Sequence, residues 1–138
     1  MQKEFNEQKP TLYLIRGVSG AGKSTLAAQM SAYMRIPFIE ADMYFYIGNT
    51  YLFNPSELHA AHQWCQGAAY GQISRGKSVI VSNTSTTENE VKVYQDIALQ
   101  FGANFVSIIV ENRNCTESVH DVPEGVLQRQ HSRFSVKL

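Results

Sequence analysis

Residues 17 to 24 read Gly17-Val18-Ser19-Gly20-Ala21-Gly22-Lys23-Ser24, which fits the pattern G-x-x-x-x-G-K-[ST] of a phosphate-binding loop. No other stretch constrains the fold as much, because this chemistry needs a strand before the loop and a helix after it. Thr11-Leu12-Tyr13-Leu14-Ile15 reads as a short buried strand. Thr25-Leu26-Ala27-Ala28-Gln29-Met30 reads as a helix of good formers. Glycines let the backbone fold back and gather several N–H groups around a polyphosphate. The helix N-terminus adds a partial positive charge aimed at the same oxygens. The sequence therefore predicts ATP contacts from Gly17, Ser19, Gly20, Ala21, Gly22, Lys23, Ser24 and Thr25. Lys23 would reach the β and γ phosphates, and the Ser24 hydroxyl would sit on Mg²⁺. A glycine-rich turn without chemistry is the alternative, and the matching flanks weigh against it.

A chain of 138 residues is expected to form one domain with a core of its own, 1–138. Lys and Arg number 12, as do Asp and Glu, so no global field recruits a polyanion or an anionic membrane. Any nucleic-acid contact must then come from a local patch. Cys65 and Cys115 have neither metal spacing nor a disulfide framework, which fits a reducing cytoplasm. The polar start of the chain does not read as a signal peptide, and no apolar run has the length of a membrane span. A cytoplasmic location is expected, the host's cytoplasm for a phage-encoded chain.

Apolar runs alternate with helical patterns, which predicts an α/β fold. It would hold a parallel sheet of about four or five strands with helices on both faces. After a loop helix over about 23–34, a second strand is expected over 35–40 and a loop over 46–54. A helix should run from Pro55 to about Arg75, stopped by Gly76 and weakened in the middle by Gly67 and Gly71. A third strand is expected over 78–82. Thr87-x-x-Glu90 is a capping box for a helix to about Phe101. A fourth strand over 104–110 leads to a polar loop over 111–122, expected to be a mobile lid. A last helix over 123–133 precedes a tail or short edge strand. Ligands of such sheets lie beyond the carboxyl ends of the strands.

Those ends carry the candidate chemistry. Asp42 follows the second strand and is placed to take a proton from a substrate hydroxyl attacking the γ-phosphate. It would otherwise hold a Mg²⁺ water or cap a helix starting at Met43. Glu40 is a second candidate base, or a solvent-facing residue. The third strand ends in Asn83, without the acid that usually forms a second Mg²⁺ anchor. Asn83 would bond a metal water or a substrate oxygen, or serve as a turn residue. Arg113 is the candidate lid arginine, with Arg129 and Arg133, four apart on one helix, as others or as solvated surface. His59 and His62 lack an acidic third ligand, so packing or substrate contact is expected of them rather than a metal. Tyr44, Phe45, Tyr46, Tyr51, Phe53 and Trp64 crowd the second strand end; most are expected in the core, with one or two on a substrate. Tyr44, Phe45, His62 and Asn83 are the substrate candidates.

Several stretches together resemble the small P-loop kinases related to phage 5′-hydroxyl polynucleotide kinase, including animal relatives and uncharacterised phage and bacterial ATP-binding proteins. They are Leu12 to Leu26, Ala41-Asp42-Met43-Tyr44-Phe45, Phe53 with Ala61-His62-Gln63-Trp64-Cys65, Val79 to Thr84, and Ser118 to Glu124. The resemblance implies a three-layer fold of the P-loop kinase type, ATP–Mg²⁺ on Lys23 and Ser24, Asp42 as general base, and a lid that holds Arg113. The chain departs from the kinase at Met43, where it has a second Asp, at Phe45, where it has an arginine, and at Asn83, where it has an Asp. Paired lid arginines are not plainly present. The expected function is γ-phosphoryl transfer from ATP to a hydroxyl, first of all on nucleic acid, DNA or RNA: a polynucleotide 5′-end or a hydroxymethylated base in DNA. A nucleoside or other small alcohol is the alternative acceptor, and a nucleotide-binding module without turnover the alternative class.

Overall fold

The computed structural model describes residues 8–85, 87–112 and 124–134. Strand β1 (Thr11–Arg16) runs into the glycine loop, which opens helix α1 (Lys23–Met34). Strand β2 (Phe38–Ile39) leads to a 3-10 turn over Ala41–Phe45. Strands β3 (Tyr46–Ile47) and β4 (Thr50–Tyr51) follow, then a 3-10 turn over Pro55–Glu57 and helix α2 (Leu58–Ser74). Strand β5 (Val79–Asn83), helix α3 (Glu88–Gln100), strand β6 (Asn104–Ile109) and helix α4 (Glu124–Arg133) complete the described chain.

The main sheet is parallel throughout, in the order β2-β5-β1-β6. Parallel strands cannot be joined by tight turns, so each crossover carries a helix and both sheet faces are covered. Alternation along the strands divides the core accordingly. Leu12, Leu14, Val79 and Val81 face α2 and α3, against Ala61, Cys65, Ala69, Ile73, Tyr94, Ile97 and Ala98. Ile15 and Ile80 face the other way, against Ala27 with Leu26 and Met30 of α1. This is the α/β architecture with helices on both faces that the sequence predicts, with four strands.

Two local details differ from expectation. The second strand is short: Arg35 closes α1 in a left-handed conformation (φ 59°), and only Phe38 and Ile39 pair with β5. The expected loop over 46–54 contains a hairpin, in which β3 and β4 pair antiparallel across the two-residue turn Gly48-Asn49. Helix α2 runs unbroken through Gly67 and Gly71. Its buried residues Ala61, Cys65, Ala69 and Ile73 recur every fourth position and hold it on the sheet whatever the glycines cost. Asn54 starts this region by accepting a hydrogen bond from the Ser56 N–H. Thr87 caps α3 by accepting from the Glu90 N–H, as its capping pattern predicts. The parallel arrangement places the ends of all four main strands along one edge of the sheet.

Candidate active site

The glycine loop holds its shape through backbone geometry. The Ala21 N–H donates to the Val18 carbonyl at 3.1 Å, closing a four-residue turn with Gly20 at its third position and φ 82°. A type II turn demands a positive φ there, which glycine supplies without strain. Gly17 is needed for a different reason. A Cβ at this position would stand 2.5 Å from the Val110 carbonyl oxygen, which belongs to the backbone just beyond β6. The Gly17 N–H meanwhile donates to the Thr84 carbonyl at 3.2 Å, so the loop is seated between the exits of β5 and β6. Gln130 of α4 joins it by accepting the Ser19 N–H at 2.8 Å, and its side chain is buried there.

Lys23, the first residue of α1, is half-buried and its ammonium donates to the Val18 carbonyl at 3.0 Å. Burial pulls its pKa down to about 8, while Glu40 and Asp42 oppose the shift. Both carboxylates therefore lie close enough for the lysine to feel their charge. The neighbouring Ser24 hydroxyl donates to Glu40 Oε2 at 2.6 Å. Glu40 is thus engaged with the loop rather than turned to solvent. A hydroxyl and a carboxylate at hydrogen-bond distance are hard oxygen donors of the kind Mg²⁺ takes, so this corner fits a Mg²⁺ ion that accompanies ATP.

Asp42 lies inside the 3-10 turn over Ala41–Phe45, with Glu40 at the capping position, so Asp42 does not cap a helix starting at Met43. Its Oδ1 accepts a hydrogen bond from the Tyr51 hydroxyl at 3.2 Å. Burial, followed by the charge of Asp42, raises the Tyr51 pKa to about 12, so this phenol stays a donor at neutral pH. The turn is also fixed from the sheet. Asn83 Oδ1 accepts the Ala41 N–H at 2.9 Å, and Asn83 Nδ2 donates to the Tyr94 hydroxyl at 3.4 Å and to Cys65 Sγ at 3.5 Å. Asn83 is buried. Its amide thus ties the end of β5 to the backbone preceding Asp42. Replacing it by leucine strands the Ala41 N–H in a buried place, which costs about 1–3 kcal/mol. Urea unfolding should show that loss for Asn83→Leu. Asn83→Asp keeps an acceptor and should lose clearly less.

The remaining candidates fall as follows. His62 of α2 is half-buried, and burial lowers its pKa against the opposing charges of Glu90 and Asp42, so it is neutral near pH 7. Phe45 is buried in the core, 4% exposed, whereas Tyr44 is 36% and Trp64 42% exposed. Arg129 is exposed on α4, one residue before Gln130. Arg133 ends α4, and its side chain lies outside the described residues. So do Arg113 and nearly all of the expected lid over 111–122. Among the described residues, no group of three His, Cys, Asp or Glu side chains could hold a metal.

Sequence reasoning assigned no role to Arg16 or Gln130. Arg16 is buried at the end of β1, donates through Nε to the Ser85 carbonyl at 3.0 Å, and stacks 4.7 Å from the Phe134 ring centroid. Burial lowers its pKa, with Glu90 and Glu88 opposing. A charged residue closing an otherwise apolar buried strand was the available signal. Gln130 sits in a polar helix and offered none.

A family model described as an AAA domain matches residues 12–136, and the chain belongs to that family. Human NEDD4-binding protein 2 is 36% identical over 85 residues, which cover 60% of this chain and only 5% of that protein. Among solved structures, Kti12 of Chaetomium thermophilum in complex with ADP-AlF3 superposes with a TM-score of 0.69 at 14% identity, over 91% of this chain and 80% of that one. A gluconokinase from Sinorhizobium meliloti 1021 gives a TM-score of 0.65 at 17% identity, over 94% and 78% of the two chains. A chain of the Pnkp1/Rnl/Hen1 RNA repair complex gives 0.62 at 15% identity, over 94% of this chain and 45% of that one. These likenesses establish a P-loop kinase-like fold.

Proposed function

We propose that this member of the AAA domain family is a phosphotransferase that moves the γ-phosphoryl group of ATP to a hydroxyl of a base-bearing acceptor, a nucleic acid or a nucleoside. One observation carries the reading. The Lys23 ammonium, the Ser24–Glu40 pair and the Asp42 carboxylate converge at the end of β2, with Lys23 sensing the charge of both acids. A phosphate grip and a proton acceptor on the same edge are what transfer to an alcohol requires.

In this reading Gly17 to Thr25 hold the polyphosphate through backbone N–H groups and the Lys23 ammonium. Ser24 holds Mg²⁺, with Glu40 beside it; the metal, when bound, neutralises charge on the phosphate oxygens. Tyr51 and Asn83 orient the turn that carries Asp42. Asp42 takes the proton of the acceptor hydroxyl as its oxygen bonds to the γ-phosphorus. The bond from that phosphorus to the bridging oxygen breaks, and ADP leaves. Arg113, just beyond β6, and Arg129 are the proposed cations for charge spreading over the transferred group.

ATP labelled in the γ position, incubated with 5′-hydroxyl oligonucleotides, with nucleosides and with no acceptor, tests this. Label should pass to an acceptor, with little phosphate released in its absence. Nucleotide binding without transfer to any acceptor would identify a binding module instead.

A further inference from the structure

The hairpin and the turn before it build an aromatic face that begins at Asp42. Phe45 is its buried centre, in edge contact with Phe53 (centroids 5.0 Å apart) and Tyr44 (5.4 Å). Tyr46 leans on Tyr51 at 5.1 Å, and Trp64 of α2 lies 6.3 Å from Tyr44. Tyr44, Tyr46, Phe53 and Trp64 are each between 36% and 48% exposed. Large aromatics half out of water on one contiguous patch mark a binding surface. The patch is joined to the candidate base, because Tyr51 belongs to it and donates to Asp42.

Its charge is as informative as its shape. From Ile36 to Ser74, the whole segment that builds the patch, there is no lysine or arginine, while Glu40, Asp42 and Glu57 are acidic. Proteins that hold a nucleic-acid strand combine stacking aromatics with a cationic groove along the phosphates. Within this segment the aromatics stand without cations. We infer that the acceptor is a free nucleoside, a flat neutral base stacked on the Tyr44–Trp64 face with its sugar hydroxyl toward Asp42, and not the end of a strand. This deepens the phosphotransferase reading and rests on it for the reaction, though not for the binding.

Trp64 is the sole tryptophan, so its fluorescence reports on the face directly. Each of the four ribonucleosides and deoxyribonucleosides is titrated into the protein with ADP–Mg²⁺ present to fill the nucleotide site. The matching 5′-hydroxyl homo-oligonucleotides are titrated in parallel at two salt concentrations. At least one nucleoside should shift Trp64 emission saturably and with little salt dependence, and its oligonucleotide should bind no more tightly. Tyr44→Leu keeps apolar volume over Phe45 but removes the ring. It should weaken that nucleoside about five- to 150-fold, the worth of one base–aromatic stack. Tighter, steeply salt-dependent binding of the oligonucleotide would overturn the inference in favour of a strand. Silence of Trp64 towards every nucleoside, or an unaltered affinity in Tyr44→Leu, would overturn it outright. Nucleoside binding without phosphoryl transfer would instead remove the kinase reading and leave the face as a nucleoside site.

Discussion

Lys23→Ala should weaken ATP binding severely and abolish transfer while leaving the fold in place. The ammonium is the side-chain cation of the loop itself, and its hydrogen bond goes to the Val18 carbonyl of that same loop rather than to the core. Hydrogen bonds to charged groups contribute about 1.5–3 kcal/mol each, so losing those to a polyphosphate weakens binding about ten- to several-hundred-fold. Calorimetric titration with Mg²⁺–ATP reads this, and an unaltered affinity with normal turnover would reject the phosphate-loop assignment. The lysine also sets a pH dependence. Its pKa lies at about 8 in the folded protein, below the 10.5 of a free lysine, because burial disfavours the charged form. The unfolded chain therefore holds the extra proton between those values, and stability rises with pH across that window. ATP affinity moves oppositely, since only the charged lysine grips phosphate. It should fall as pH climbs past about 8. Lys23→Ala removes the cost of the buried charge and should unfold no earlier than the parent near pH 7.

Asp42→Asn should leave ATP affinity nearly unchanged and slow transfer by about 10²- to 10⁴-fold, the usual contribution of a general base. The amide is the same size, and its oxygen still accepts from the Tyr51 hydroxyl, so the turn over Ala41–Phe45 should keep its shape. What is lost is the site that takes the acceptor's proton. Quench-flow measurement of the chemical step separates this from product release. Equal rates in the two proteins would leave Asp42 as part of the turn only and return Glu40 to candidacy. Asn83→Leu acts on the same turn from the sheet side, through the Ala41 N–H. Its effect on the transfer rate should accompany a loss of stability, whereas that of Asp42→Asn should not.

Much of the fold is legible because its signals are local. The start of α1 follows from a loop motif, and α3 begins where Thr87 and Glu90 form a cap. The β3–β4 hairpin also had a local signal in Gly48-Asn49 between Tyr-Ile and Thr-Tyr, but strands so short leave too little periodicity to outweigh a run of turn residues. The extent of β2 was not legible. Only Phe38 and Ile39 pair with β5, and where pairing starts depends on the neighbouring strand, which no local propensity records.

The candidate site divides along the same line. The sequence by itself determined the phosphate grip, since a turn type, a helix N-terminus and a lysine at fixed spacing are all decided within eight consecutive residues. It also brought Asp42 to a strand end. Only the tertiary structure decided what surrounds that acid. Tyr51 reaches it through hairpin register, Asn83 holds its backbone from a strand that pairs alongside β2, and Glu40 turns to Ser24 across the edge. Each depends on hairpin register, strand order or packing direction rather than on the residue's immediate neighbours. A side chain's local pattern records its burial or its turn preference, and not which partner the fold delivers to it.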